Sequence, residues 1–348
     1  DNRIRTLIKA SVNGDTVASE HGINAGSVLV RAQDTSSIRA ITATSAVAVA
    51  VGAFSGGLTI GVGLARNTIG NQVEASVLNV DGTSSTSDYG LTTAAGGDIT
   101  VSAISQSTIT ATASAASVAK GVGLVGVAVS GAGAESTNVI LSKTKAWVDN
   151  SDLNSGRDLS ITSANTSTIT ATIVSAATSV GAGLIGVGAS IGTSLARNLI
   201  GMTAAGSSDP AEIVALANNV GANATRSLYL TANSTATINA TVESAAVAVA
   251  GGAVGVAAAG AGAETTNKIY NLVKAAITTT RNNHIDVGST ASITADDAST
   301  INATAGAASV AASVGEIGSG SLSIGVAIAD NIIQNNVEAS ITAATLDG

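Results

Sequence analysis

Cysteine is absent from this chain of 348 residues, and proline and aromatic residues are scarce, with one Pro, one Trp, one Phe and three Tyr. Without cysteine the chain can form neither a disulfide framework nor a thiolate metal site. Charged residues make up 11% of the sequence, against about a quarter in ordinary globular proteins. The net charge is −8, and Lys and Arg do not cluster, so no nucleic-acid partner is expected.

The residues that are present are small or aliphatic. The chain holds 39 Gly, its mean hydropathy is +0.42, and its apolar residues are mainly Ala, Val, Ile and Leu. Disordered chains are polar and highly charged, whereas β-branched residues suit pleated strands. The composition therefore predicts a folded β-protein whose core is thin and built from small side chains.

Two landmarks recur along the chain at nearly constant spacing. The first is Ser/Thr-Ile-x-Ala, with its isoleucine at Ile38, Ile109, Ile169, Ile238 and Ile301. The second is an asparagine 29 or 30 residues later, at Asn67, Asn138, Asn198, Asn267 and Asn331. Length varies only after the asparagine, as in stacked repeats whose loops grow on one edge. We assign one repeat array over 1–348, with a partial repeat 1–26 and repeats of about 27–96, 97–156, 157–225, 226–288 and 289–348, and expect it to be part of a longer array.

Large and small residues alternate strictly in the apolar stretches, as in residues 58–65, 185–192 and 322–329. Period two predicts strands, although a stretch such as 46–65 has the length of a membrane-spanning helix, which makes a hairpin of such helices the alternative. Each repeat is predicted to contain a short strand, a polar kink near Gln106 and Ser107, a long strand, a glycine corner and a returning strand. The corners are expected around Gly121, Gly181, and Gly251 with Gly252. The predicted fold is an all-β repeat β-solenoid of broad flattened coils, about 60–71 residues each, with stacked β-hairpin sheets as the alternative.

The face opposite the aliphatic residues carries Gly, Ala and Ser. A flat face of this kind is either covered within the chain or used as a contact surface. Both possibilities are open at this point, and we hypothesise lateral packing against another copy.

Oxygen-bearing residues cluster between residues 149 and 158, where Asp149, Asp152, Asn154 and Asp158 are candidate calcium ligands. Their spacing fits no EF-hand loop, so a solvated turn is favoured and no cofactor is expected. Thr-x-Thr runs at 108–112 and 168–172 are similar to ice-binding β-solenoid surfaces. No Ser/His/Asp or paired-carboxylate arrangement repeats or clusters, so no catalytic residue is assigned and the chain is not expected to be an enzyme.

The second repeat reads Gly-Asp-Ile-Thr-Val-Ser-Ala at 97–103, then Ser-Thr-Ile-Thr-Ala-Thr at 107–112, a Gly/Ala/Val stretch, and Asn-x-Ile at 138–140. This pattern resembles the repeats of giant bacterial surface proteins, the filamentous-haemagglutinin-like and leukotoxin-type filamentous adhesins. The resemblance implies a secreted, rod-like β-solenoid at the cell surface and transfers no functional residue.

The expected function is therefore structural: an extracellular segment of a bacterial fibre, adhesin or biofilm matrix protein. It would assemble by sheet stacking and lateral packing of Gly/Ala/Ser faces, with other copies or further repeats as partners. The alternatives are a membrane-inserting or pore-forming segment and an ice- or glycan-binding β-solenoid.

Overall fold

A computed structural model describes residues 1–14, 22–80, 90–278, 280–342 and 346–347. Strands account for 86% of the described residues, and there is no helix among them. Within the same ranges, therefore, no helix is long and apolar enough to cross a membrane. The helical-hairpin alternative for residues 46–65 is wrong, because these residues form two strands joined by a short turn.

The strands of the first three repeats and the preceding segment are β1 (Asn2–Ile4), β2 (Leu7–Asn13), β3 (Ile23–Ala25), β4 (Val28–Val51), β5 (Phe54–Ile69), β6 (Gln72–Leu78), β7 (Leu91–Thr93), β8 (Ile99–Val122), β9 (Val125–Ile140), β10 (Lys143–Ser155), β11 (Asp158–Ala182), β12 (Ile185–Ile200) and β13 (Ala211–Ala224). The strands that follow are β14 (Ser227–Ile269), β15 (Asn271–Ile277), β16 (Thr280–Val287), β17 (Thr290–Asp297), β18 (Thr300–Ile333), β19 (Asn336–Ile341) and β20 (Leu346–Asp347).

These strands form two parallel sheets. The first has the order β1-β5-β9-β12-β14-β11-β8-β4, with β17 and β18 also paired to β14. The second has the order β19-β15-β13-β10-β6-β2. Four further strands belong to it: β7 pairs with β10 and with β3, and β16 pairs with β13 and with β20. Each repeat adds parallel strands to both sheets, and parallel neighbours require long crossover connections. The chain therefore completes one circuit per repeat.

Equivalent residues of successive repeats lie side by side. The landmark isoleucines are Cα partners from Ile38 through to Ile301. The landmark asparagines are partners in the same way, from Asn67 to Asn331. Equivalent residues of successive repeats thus form columns, in which neighbours lie one strand spacing apart, about 4.8 Å.

The second repeat shows the course of one circuit. Arm 1 is β8, a turn at Gly123 and Leu124 follows, arm 2 is β9, and β10 returns in the second sheet. β8 runs unbroken through Gln106 and Ser107, so the predicted kink is absent there. An interruption occurs in the last repeat, at Ala298 and Ser299. The corner lies two residues beyond Gly121, which belongs to the strand.

The second sheet was not predicted. The residues after each landmark asparagine, expected to be variable loops, form β6, β10, β13, β15 and β19. In the third repeat an insertion at 201–210 precedes β13, and the alternating pattern resumes at Ile213, in register with Val273. Because of the insertion, the alternating pattern of β13 begins about nine residues later after the landmark asparagine than in the other repeats, and sequence analysis therefore did not recognise this strand.

The two sheets enclose an aliphatic core in one part of each circuit, which we call the head. In the second repeat the head comprises residues 99–111 and 136–155. Its buried residues include Ile99, Ile109, Ile140 and Leu153. Burying an isoleucine of this kind stabilises the fold by about 1.5–3 kcal/mol.

The remainder of each circuit is a thin two-layer extension, which we call the fin. In the second repeat it comprises residues 113–134, where the end of arm 1 lies face to face with the start of arm 2. The buried hydrophobic residues there are alanines: Ala113, Ala115, Ala132 and Ala134 belong to this cluster. Alanine-sized side chains let the two layers lie very close together.

Candidate functional site

The clearest polar feature of the molecule is a continuous row of asparagine side chains, the asparagine ladder. It consists of Asn2, Asn67, Asn138, Asn198, Asn267 and Asn331. Each Nδ2 donates to the Oδ1 of the next asparagine at 2.8 Å. The inner members are buried, with Asn138, Asn198 and Asn267 at 0% exposure.

The asparagine ladder has a direction. Every member points its amide the same way, so the row ends on the Oδ1 of Asn2 and on the Nδ2 of Asn331. A buried amide must find partners for both groups, and a row of in-register asparagines satisfies them while linking one repeat to the next. The ladder therefore ties six strands together and presents an acceptor at one end and a donor at the other.

A second asparagine row lies on the second sheet. Asn79, Asn150 and Asn219 adopt left-handed backbone conformations, with φ of 52°, 47° and 50°. Asn150 donates to Asn79 at 3.1 Å and Asn219 donates to Asn150 at 2.9 Å. Asparagine tolerates this conformation better than most residues, and the row repeats the same irregularity in three successive repeats.

The calcium candidates do not occupy a loop. Asp149, Asp152 and Asn154 belong to β10, and Asp158 begins β11. On an extended strand Asp149 and Asn154 lie about 16–17 Å apart, whereas the ligands of one calcium ion each lie about 2.3–2.6 Å from it. In the part of the chain that the structure describes, no three His, Cys, Asp or Glu side chains form a group that could hold a metal ion.

Two of these candidates accept side-chain hydrogen bonds from the following repeat. Asp149 accepts a hydrogen bond from Asn218 Nδ2 at 2.7 Å. Asp158 accepts from Arg226 Nε at 2.8 Å, and Asp98 accepts from Arg157 Nε at 2.7 Å. These guanidinium hydrogen bonds hold the pKa of Asp98 and of Asp158 below the ordinary range for aspartate. The carboxylates thus form a column of ion pairs across the repeats.

Glycine and serine line the seam between the two layers of the fin. A Cβ placed on Gly61 would lie 2.8 Å from the carbonyl oxygen of Ala116, and one on Gly192 would lie 2.6 Å from that of Ala245. Ser190 donates to the carbonyl oxygen of Ala177 at 2.7 Å across this seam. The backbones approach so closely that only small side chains fit between them.

The seam corrects the expected role of the Gly/Ala/Ser face. In β5 the Gly, Ser, Thr and Ala positions are largely buried and the Leu, Ile and Val positions are exposed. In the first four repeats the small-residue face is therefore covered within the chain, so it is not available there for lateral packing. The surface available to a neighbour in the fin is the aliphatic one.

Threonines form rows on the outer face of the head. Thr108, Thr168, Thr237 and Thr300 are successive partners, and so are Thr112, Thr172, Thr241 and Thr304. The row between them is interrupted by Asn239 and Asn302. This array is the surface on which the ice- or glycan-binding alternative rests, and that alternative stays a prediction.

Sequence reasoning identified the landmark asparagines but not what they do. Their regular spacing was the available signal, because an asparagine that recurs at one position of a stacked repeat lies beside its equivalents.

The comparisons with known proteins add no further assignment. No family model, no curated protein and no solved structure matches the chain.

Proposed function

We propose that this chain is a structural segment of an extracellular fibre, adhesin or matrix protein, in which repeats stack as rungs of a flattened β-solenoid. The observation that carries the proposal is the directional asparagine ladder. It spans the described repeats without a break, and its two ends are complementary.

The open strand edges support the same role. The last repeat presents β18, whose residues from 316 to 333 are all exposed, and the first presents β4. An exposed edge offers unpaired N–H and C=O groups that pair readily with another strand. Another copy would continue the ladder and the second sheet, from β19 to β2, whereas further repeats of the same chain would continue the first sheet as well, so the proposed partners are of these two kinds.

The proposed role is non-enzymatic, secreted and consistent with the likeness to filamentous adhesins found in the sequence. Each repeat of 60–71 residues advances the stack by only about 4.8 Å. Long filaments built this way need very long chains or repeated end-to-end contacts. Both suit a fibre or matrix component.

End-to-end assembly is testable with the purified chain. We expect negative-stain electron microscopy to show filaments at high concentration and fibre diffraction to show a meridional repeat of about 4.8 Å. The variant Asn331→Asp keeps the acceptor for Asn267 but removes the donor that would meet Asn2 of the next copy, so it should not form filaments.

The control for this test is Asn302→Asp. It adds the same charge to the same repeat, on the outer face of arm 1, away from the asparagine ladder. The control should form filaments like the parent chain. Filaments that form equally well from Asn331→Asp, or no filaments from the parent chain, would overturn the proposal.

A further inference from the structure

The outer face of arm 2 in the fin alternates between bulky and bare repeats, and we call it the ridged face. The first, third and fifth repeats carry ridges, which are rows of outward-facing Ile, Val, Leu or Thr side chains at 60–64, 191–195 and 324–328. The second and fourth carry grooves, in which the register partners are Gly131, Gly133, Glu135, Gly260, Gly262 and Glu264. Ridges and grooves thus recur every two strands, a spacing of about 9.6 Å.

The glycines of the grooves are not required by the chain itself. A Cβ on Gly260 or Gly262 would meet nothing within 4 Å, and on Gly131 or Gly133 it would make only ordinary contacts, at 3.8 and 3.5 Å. None of the four has a positive φ. Glycine within a strand costs about 0.5–1 kcal/mol relative to alanine. Such glycines mark places where another backbone or a ligand approaches closely.

The ridges are strongly exposed. Ile60 is 68% exposed, Ile191 61% and Ile324 54%. Exposed aliphatic surface that continues over several strands is unusual on a monomer and marks a contact site. In the first and third repeats the seam side of the same strands is already covered, so the ridged face is where a partner would bind.

We propose that the ridged face pairs with the ridged face of a second copy of this chain, offset by one repeat. The offset inserts each ridge into a glycine groove of the partner. A twofold axis parallel to the strands keeps equivalent positions opposite each other and makes the contact self-complementary. This pairing deepens the proposed structural role and rests on it, because it joins stacks side by side.

Charge on the ridged face fits the same offset. Each groove ends at Glu135 or Glu264, and two of the ridges are followed by Arg66 and Arg197. A shift of one repeat brings the arginines of one copy close to the glutamates of the other. Among the described residues, neither glutamate forms a salt bridge within the chain.

The area of the face is sufficient for a stable dimer. With the offset of one repeat, four repeats of each copy overlap, and twelve residues of strand by four repeats measure about 40 Å by about 19 Å. Pairing two such faces buries about 1,500 Å² in total, within the range of about 1,200–2,000 Å² found for specific interfaces.

The test uses the full chain in the Asn331→Asp background, in which any dimer must form side by side. The groove-filling variant is Gly260→Ile with Gly262→Val, which installs residues that flanking repeats carry at these positions. We expect dimerisation in sedimentation velocity to weaken by about tenfold or more, while the circular dichroism spectrum and the unfolding midpoint are kept. The matched control, Ala116→Val with Ala176→Val, adds apolar bulk to the outer face of arm 1 and should dimerise like the parent.

Three results would overturn the pairing. One is a parent chain that stays monomeric at high concentration, and another is a groove-filling variant that dimerises as well as the parent. The third is binding of phosphatidylcholine vesicles through the ridged face by a chain that remains monomeric in solution. Filaments from the parent chain with an Asn331→Asp chain that stays monomeric would reject this inference alone, whereas no filaments from the parent chain with an Asn331→Asp chain that dimerises would reject the proposed end-to-end role.

Discussion

Within a single strand, β8, the head buries Ile99, Val101 and Ile109, whereas the fin buries Ala115, Ser117 and Ala119. The backbone conformation and the hydrogen-bonding pattern continue from one region to the other. The difference lies in the distance to the layer opposite: the head has a second sheet beyond an aliphatic core, and the fin has a backbone almost in contact. Side-chain volume therefore sets the thickness of the molecule.

The outer faces of the head and the fin also differ, but here the head is polar and the fin is aliphatic. The head carries charged pairs on its second sheet, such as Lys143 with Glu212 at 3.1 Å and Lys274 with Glu338 at 3.1 Å. The fin carries exposed Leu, Ile and Val. We infer that the head is built to face solvent and the fin to face a neighbour.

The largest effect is expected from removing volume in the head. Ile169 is fully buried and stacked between Ile109 and Ile238. Changing Ile169→Ala should lower the free energy of unfolding by about 2–5 kcal/mol, because the lost contacts leave a cavity. Chemical denaturation monitored by circular dichroism measures this change. Thr170→Ala, one residue along on the outer face, should stay within about 0.5 kcal/mol of the parent, and equal losses from both variants would contradict the assigned core.

A smaller effect of opposite origin is expected from adding volume in the fin. Gly192→Ala introduces a Cβ that would lie 2.6 Å from the carbonyl oxygen of Ala245. The layers must separate, at a cost of about 1–3 kcal/mol. Gly262→Ala, on the outer side of the adjacent strand, meets no atom within 4 Å and should be neutral or stabilise the fold by up to about 1 kcal/mol. The same denaturation experiment compares the two, and a neutral Gly192→Ala would show that the seam is not closely packed.

Much of this architecture follows from the sequence. Alternation at residues 58–65 indicated strands, and the spacing from Ile109 to Asn138 indicated stacking. Alternation does not reveal which face is inside, because a period of two is symmetric with respect to the two faces. The burial of Gly61 and the exposure of Ile60 depend on what lies opposite, and that is a tertiary property.

The second sheet escaped sequence analysis for another reason. Its strands are short in the first and fourth repeats, and its pattern begins at a different distance from the landmark in the third, after the insertion at 201–210. A search for alternating residues at a fixed distance from the landmark misses such strands, because their register is set by the neighbouring strands. The bonding of Asn198 to Asn138 and Asn267 likewise becomes visible only once the strands are adjacent.

In-register stacking of repeats is the central claim, and spin labelling tests it most directly because the chain has no native cysteine. Thr110 and Thr170 are Cα partners on the outer face of adjacent strands, about 4.8 Å apart. Labels on Thr110→Cys with Thr170→Cys should give strongly dipolar-broadened electron paramagnetic resonance spectra. Labels on Thr110→Cys with Thr178→Cys, displaced along the strand by about 26 Å, should not. Sharp spectra from the first pair, or equal broadening from both, would contradict the stacking.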